Sequence, residues 1–383
     1  MVAIAVAAAL VAAACGGDGD DDTLAEPASA PAVDAAGDQG EGAAEPDDPA
    51  QPASTPPEGA EPTRALFAGI ADDEPGCSVA VNVDDEIVFA EAYGAASLDP
   101  PEPFTTSTVV DIASTSKQFT AIAVGSLIVD GEVASDDPVA EWVDDLPDWA
   151  EEVTVAQLVN HTSGIPDYID LLNDAGIDLA DPSDQADALD AIAAEELDAE
   201  PGTVFEYSNS NYVLMAEVVA AAYGDDLPTW LEQELFGPLG IDAEMTPALD
   251  LPGKAVSYWF EGDWEVADSP WTQLGDGAVQ TTPSELASFA TTYWLSGDPW
   301  DDLAALRTEL GVDTGEGVYS LGIETFEIDG ATYLSHSGSW GGFETTFVVA
   351  TDDRVAVALT CNSPDVEVDF AGLEERLLDI WLP

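Results

Sequence analysis

The sequence predicts a mixed α/β (α+β) fold, with an antiparallel sheet assembled from both ends of the folded chain, helices flanking it, and a large helical insertion between. Three observations predict it. Short β-rich runs with period-two alternation lie near both ends, a helical period of apolar residues fills the middle, and Gly and Asp pairs punctuate the outer segments.

In chain order, residues 2–14 form an apolar run ending in Ala12-Ala13-Ala14-Cys15, followed by Gly16 and Gly17. The run is too short to span a bilayer unaided, and small residues before a cysteine suit cleavage and lipidation at Cys15. Residues 1–15 therefore read as a lipoprotein-like signal segment, and the chain as exported, either a cell-surface lipoprotein or secreted. Residues 16–63 carry no aromatic and no basic side chain and are rich in Ala, Pro, Gly, Asp and Glu. This composition predicts a disordered, self-repelling linker. The remaining 64–383 form the folded domain, its sheet part about 64–112 and 316–383 and its helical part about 113–315.

Within that domain, 78–83 alternates through Val79, Val81 and Val83, turns at Asp84-Asp85-Glu86 and returns over 87–93, a β-hairpin. At the far end, 319–326, 332–335, 343–350 and 355–362 are strand-like runs separated by Asp329-Gly330, Gly341-Gly342 and Asp352-Asp353. Between them, 117–129, 212–223 and 286–294 carry the clearest helical period. Thr154-Val155-Ala156-Gln157 and Thr282-Pro283-Ser284-Glu285 fit the capping box that starts a helix. A last helix over 373–381 should pack on the sheet. If the terminal strands adjoin, Cys77 and Cys361 can pair and staple them; otherwise they are two inert buried thiols.

The chain holds 78 acidic residues against six basic ones, a formal net charge of −72, yet is 46% hydrophobic. It can bury a core, but its surface repels phosphates and anionic lipid head groups, which excludes nucleic acid and any membrane contact except a lipid anchor at Cys15. Such a surface suits concentrated salt, where self-repulsion is screened; a specific cationic partner is the alternative.

Against this background the two lysines, Lys117 and Lys254, stand out. Lys117 follows Ser114 by three positions at the start of an apolar helical run, so hydroxyl and amine share one face. Flanks such as Ile112, Ala113, Phe119 and Ile122 should bury the amine beside the hydroxyl it would deprotonate. Two further elements carry chemistry: Tyr207-Ser208-Asn209, in a loop that runs into the helix from Tyr212, and His336-Ser337-Gly338-Ser339, read as a small-residue turn after the strand 332–335. Asn160-His161-Thr162-Ser163-Gly164 and Gly275-Asp276-Gly277-Ala278 lie between them.

In this order and spacing the elements resemble the serine β-lactamase and penicillin-binding-protein superfamily, specifically its class C-like branch of β-lactamases, D-Ala-D-Ala carboxypeptidases, D-aminopeptidases and esterases. The resemblance covers about 64–383 and implies a β-lactamase/DD-peptidase-like fold. It further implies that Ser114 is acylated, Lys117 activates it, Tyr207 shuttles the proton and Asn209 holds the substrate amide. His336, Gly338 and Ser339 would also bind substrate, with the backbone N–H groups of Ser114 and Ser339 as the oxyanion hole. His336 takes a position where many members have lysine, a form usual among esterase-like and peptidase-like relatives. His161 would brace the rim or stand in a second layer behind it, and Tyr168 and Trp340 would line the mouth or simply pack.

The resemblance implies neither a cofactor nor a metal, and the two histidines show no metal-ligand spacing. The partner is a small-molecule or peptide substrate: an ester, an amide, a D-amino-acid peptide or a β-lactam. None of the arginines, Arg64, Arg307, Arg354 and Arg376, falls in a motif, which favours neutral esters or amides over carboxylate-bearing β-lactams. The competing reading is a non-catalytic surface lipoprotein of the same fold, a cell-wall-binding or scaffolding module.

Overall fold

The computed structural model describes residues 56–328 and 330–382. The expected signal segment 1–15 with Cys15, and residues 16–55 of the expected linker, lie outside the described residues. Folded structure begins before residue 64, because Ala60–Leu66 is a helix (α1) whose Ala60 and Thr63 are fully buried. Its Thr63 hydroxyl accepts from the Trp381 indole at 2.9 Å, a contact with the far end of the chain that local composition cannot announce.

The sheet follows the expected plan. Its strands are β1 (Cys77–Val83), β2 (Glu86–Tyr93), β3 (Val312–Asp313), β4 (Val318–Ser320), β5 (Ile323–Ile328), β6 (Ala331–Trp340), β7 (Phe343–Ala350) and β8 (Val355–Cys361). They lie in the order β3-β4-β5-β6-β7-β8-β1-β2, so the last strand pairs with the first in the body of the sheet, antiparallel and in register from Cys77 opposite Cys361 to Val83 opposite Val355. Cys77 and Cys361 form a disulfide.

Period-two alternation sends the two faces of this sheet to different cores. Val79, Val81, Val348, Val355, Val357 and Leu359 face outward onto α1 and the closing helix Leu373–Trp381, through Leu373, Leu377 and Leu378. Ala80, Ala356, Ala358, Phe347 and Val349 face inward onto the helical region. The small alanines let the helix Pro283–Phe289 lie close to β1 and β8, where the Asn82 amide donates to Ala287 O at 3.1 Å.

Two inward helices, α2 (Lys117–Asp130) and α3 (Ser210–Tyr223), are buried nearly all round, which is why neither shows a clean polar face. Of the two expected capping boxes, Thr154 with Gln157 is complete, whereas Glu285 spends its carboxylate on Asp242 N instead of on Thr282.

Two readings need correction. The run 319–326 is not one strand: Leu321 and Gly322 both adopt positive φ, and the chain turns between β4 and β5. Gly322 is required there, since a Cβ would stand 2.5 Å from the backbone of Lys117 and Gln118. His336-Ser337-Gly338-Ser339 is not a turn either; β6 continues through it to Trp340, paired with β7. β5 pairs with β6 only as far as Ser335, so from His336 onward that edge has no strand partner.

Candidate active site

Ser114 lies in a 3₁₀ turn, Ala113–Ser116, that runs straight into α2. In a 3₁₀ turn side chains at i and i+3 eclipse, so Lys117 stands over Ser114, its Nζ 3.1 Å from Ser114 Oγ. The turn is held in a costly shape: Ala113 has φ of 51°, a left-handed value that disfavours any residue with a Cβ. Asp111 holds it there by accepting from Ala113 N at 2.8 Å, and Gln280 donates to the other carboxylate oxygen at 2.7 Å. Burial raises the Asp111 carboxyl above its ordinary range, against the lowering effect of Lys254.

Lys117 is fully buried. Besides Ser114 it donates to Asn209 Oδ1 and to the carbonyl of Asp276, both at 2.7 Å. An ammonium would donate to all three, whereas a neutral amine keeps the Asn209 and Asp276 bonds and turns its lone pair to the Ser114 hydroxyl. Asn209 is itself fixed, since its side-chain and backbone N–H groups both donate to Asp167 Oδ2 at 2.8 Å. Asp276 accepts from the Tyr168 hydroxyl at 3.0 Å. Burial pushes both Asp167 and Asp276 upward, and Lys117 opposes the shift in each.

Tyr207 is 39% exposed, its ring centre 5.1 Å from Lys117 Nζ. Beneath it the His161 ring stacks at 4.4 Å, fully buried, with Nδ1 accepting from Ser208 N at 3.2 Å. The opposite wall is β6. Gly338 packs directly on the Ser114 turn: a Cβ there would meet Ile112 O at 2.4 Å and Ser114 N at 3.0 Å. The side chain of Ser339 points to the other face of the sheet and donates to Glu344 at 2.5 Å, so only its backbone faces Ser114.

The structure therefore brings Ser114, Lys117, Tyr207, Asn209, His336 and Gly338 to one cleft. His161 lies in a second layer behind the cleft, its ring covered by Tyr207, Tyr212 and Tyr319. Tyr168 is buried as well, turned inward to Asp276, while Trp340 is half-buried against Trp271 at 5.7 Å between ring centres. Ser116, the other hydroxyl near Lys117, is fully buried and accepts from Val279 N at 3.1 Å, which removes it as a nucleophile.

The family described as Beta-lactamase matches residues 63–380, nearly all of the described chain. The chain belongs to the beta-lactamase family. Members of the beta-lactamase family related to it are serine hydrolases. A D-aminopeptidase of Cereibacter sphaeroides is 28% identical over 309 residues, which is 78% of this chain and 57% of that protein. The chain thus spans little more than half the length of that relative. A penicillin-binding protein of Bacillus subtilis is 26% identical over 314 residues, 76% of this chain and 68% of its own. Among solved structures, the octameric penicillin-binding protein homologue from Pyrococcus abyssi superposes with a TM-score of 0.71 at 22% identity, covering 84% of this chain and 76% of that one. That last likeness is one of fold.

Sequence reasoning missed Asp111, Asp167 and Tyr319. Asp276 sat in a noted motif, but nothing marked its carbonyl as the partner of Lys117.

Proposed function

We propose that this protein is an exported serine hydrolase that opens an ester, amide or D-amino-acid peptide bond through an acyl-enzyme on Ser114. The observation that carries the reading is the buried Lys117 amine 3.1 Å from Ser114 Oγ, with no carboxylate among its hydrogen-bond partners to hold it as a structural ion pair.

In this mechanism a neutral Lys117 takes the Ser114 proton as Oγ bonds to the substrate carbonyl carbon. The electron pair displaced onto the carbonyl oxygen is met by the N–H groups of Ser114 and Ser339. A donor of this kind is typically worth about 3 kcal/mol in the transition state. Collapse of the adduct breaks the bond to the leaving group, which receives a proton by way of Tyr207. Water then attacks the ester carbon, giving its proton back through Tyr207 and Lys117, and Ser114 is released. Asn209, anchored by Asp167, keeps Lys117 aimed throughout.

Export is supported by the Ala12-Ala13-Ala14-Cys15 sequence and by a disulfide that suits an oxidising compartment. Labelling with a fluorophosphonate or a fluorescent penicillin, then mass spectrometry of the modified peptide, tests the chemistry. The expected adduct lies on Ser114. Labelling elsewhere, or none with an active-site probe of either kind, overturns the reading. Metabolic labelling with a fatty-acid analogue, lost in Cys15→Ser, tests the anchor.

A further inference from the structure

The two histidines of the chain are joined by one phenol, that of Tyr319. His336 Nδ1 lies 2.5 Å from the carbonyl of Ser337, which can only accept, so Nδ1 carries a proton. A neutral His336 then presents a bare Nε2, and Tyr319 Oη is 3.4 Å from it. On the other side, His161 Nδ1 receives Ser208 N–H at 3.2 Å and the Asn211 amide at 3.0 Å. The Ser208 group decides the tautomer, because a backbone N–H can only donate. His161 therefore carries its proton on Nε2, 3.3 Å from Tyr319 Oη. Tyr212 Oη, also 3.3 Å from Tyr319 Oη, donates to Val159 O at 3.3 Å and offers Tyr319 a second acceptor, but a bare imidazole nitrogen is the stronger base, so the Tyr319 proton is assigned to His336.

We infer that Tyr319 is a positioning residue: it accepts from His161 and donates to His336, locking the two rings as opposite neutral tautomers and tying the Tyr207 loop to the oxyanion strand. The chain of donors starts at Ser208, next to Tyr207, and ends at Ser337, next to Gly338. Both walls of the cleft are thus set by one buried phenol, 4% exposed.

A second consequence concerns substrate. With both nitrogens engaged, His336 is a neutral wall where a cation would otherwise meet a substrate carboxylate. The charged and titratable groups facing it are Lys117, Tyr207, Tyr319 and His161, and Lys117 opposes its protonation. The site then favours substrates uncharged at that end. This part rests on the serine hydrolase reading; the tautomer assignment does not.

Two histidines make the test clean. Long-range ¹H–¹⁵N correlation spectra of the ¹⁵N-histidine-labelled protein should show one Nε2–H and one Nδ1–H neutral ring at pH 7. In Tyr319→Phe the Nδ1–H ring should lose its fixed tautomer or begin to titrate nearer its ordinary range. A wild-type His336 in the Nε2–H form, or spectra unchanged by Tyr319→Phe, would overturn the inference whether or not the enzyme turns over. In kinetics, Tyr319→Phe should lower kcat on the order of tenfold with Ser114 still labelled by fluorophosphonate. Should wild type prefer a carboxylate-bearing ester over its neutral amide counterpart, the specificity arm fails while the tautomers stand.

Discussion

The two faces of the sheet are built to different ends. Outward, β1, β7 and β8 present valines and leucine to α1 and the closing helix, and the contact is almost wholly apolar. Inward, the same strands present alanine and phenylalanine to helices that bury Lys117, Asp111 and Asp276 among them. Burying charge is costly unless every group is matched, so the inward side holds a network in which each carboxylate has a donor and the amine has three polar partners. One face stabilises; the other spends stability on a site. Changes outward should therefore move Tm and leave turnover alone, and changes inward should do the reverse.

Gly338→Ala breaks the comparison most sharply. A methyl 2.4 Å from Ile112 O must push β6 away from the Ser114 turn, misaligning the Ser339 N–H. The expected loss of kcat/KM is on the order of 100-fold or more, set against a small change in Tm. Next comes the disulfide, which closes a sequence separation of 284 residues. Reduction, or Cys77→Ser with Cys361→Ser, should cost on the order of 4 kcal/mol in denaturant titration while kcat at 25 °C is retained. Leu377→Ala, fully buried on the outward side, should cost about 3 kcal/mol with unchanged kcat and KM.

The smallest effect is in pH. Burial, then the charge of Lys117, holds His336 down to about 4, and burial pushes His161 well below its ordinary value. Between about pH 6.5 and 4 the unfolded chain binds more protons at these rings, so stability falls as pH falls through that window. Asp111, Asp167 and Asp276 are raised by burial and act in the opposite sense, losing their contribution as pH rises through their folded values. The difference between wild type and His336→Asn subtracts them. The slope of stability against pH in that window should be shallower in the variant; an equal slope would remove His336 from the account.

What could be read from the residues follows from scarcity and from local signal. With two lysines in the chain, Lys117 three after Ser114 was conspicuous. With 78 acidic residues, nothing singled out Asp111 or Asp167, though both lie within the site's network, and Asp276 was visible only as part of a glycine-rich motif. The hairpin of β1 and β2 was legible because alternating valines and an acidic turn are local. The extension of β6 through Ser337 and Gly338 was not, because residues of low β propensity are carried there by pairing with β7, a tertiary effect. α1 and the Gly322 turn are also set by distant contacts, with Trp381 and with Lys117.

The central claim is that Ser114 and Lys117 act as a single device. The most direct measurement is kcat/KM for a chromogenic neutral ester with Ser114→Ala, Lys117→Met and the double variant, each checked for folding by thermal melting. Groups that work as one should lose the same activity singly as together, on the order of 10⁴-fold or more, with no acyl adduct in any variant. If Lys117→Met still acylates Ser114 at a rate near wild type, or the two losses simply multiply, the claim is wrong.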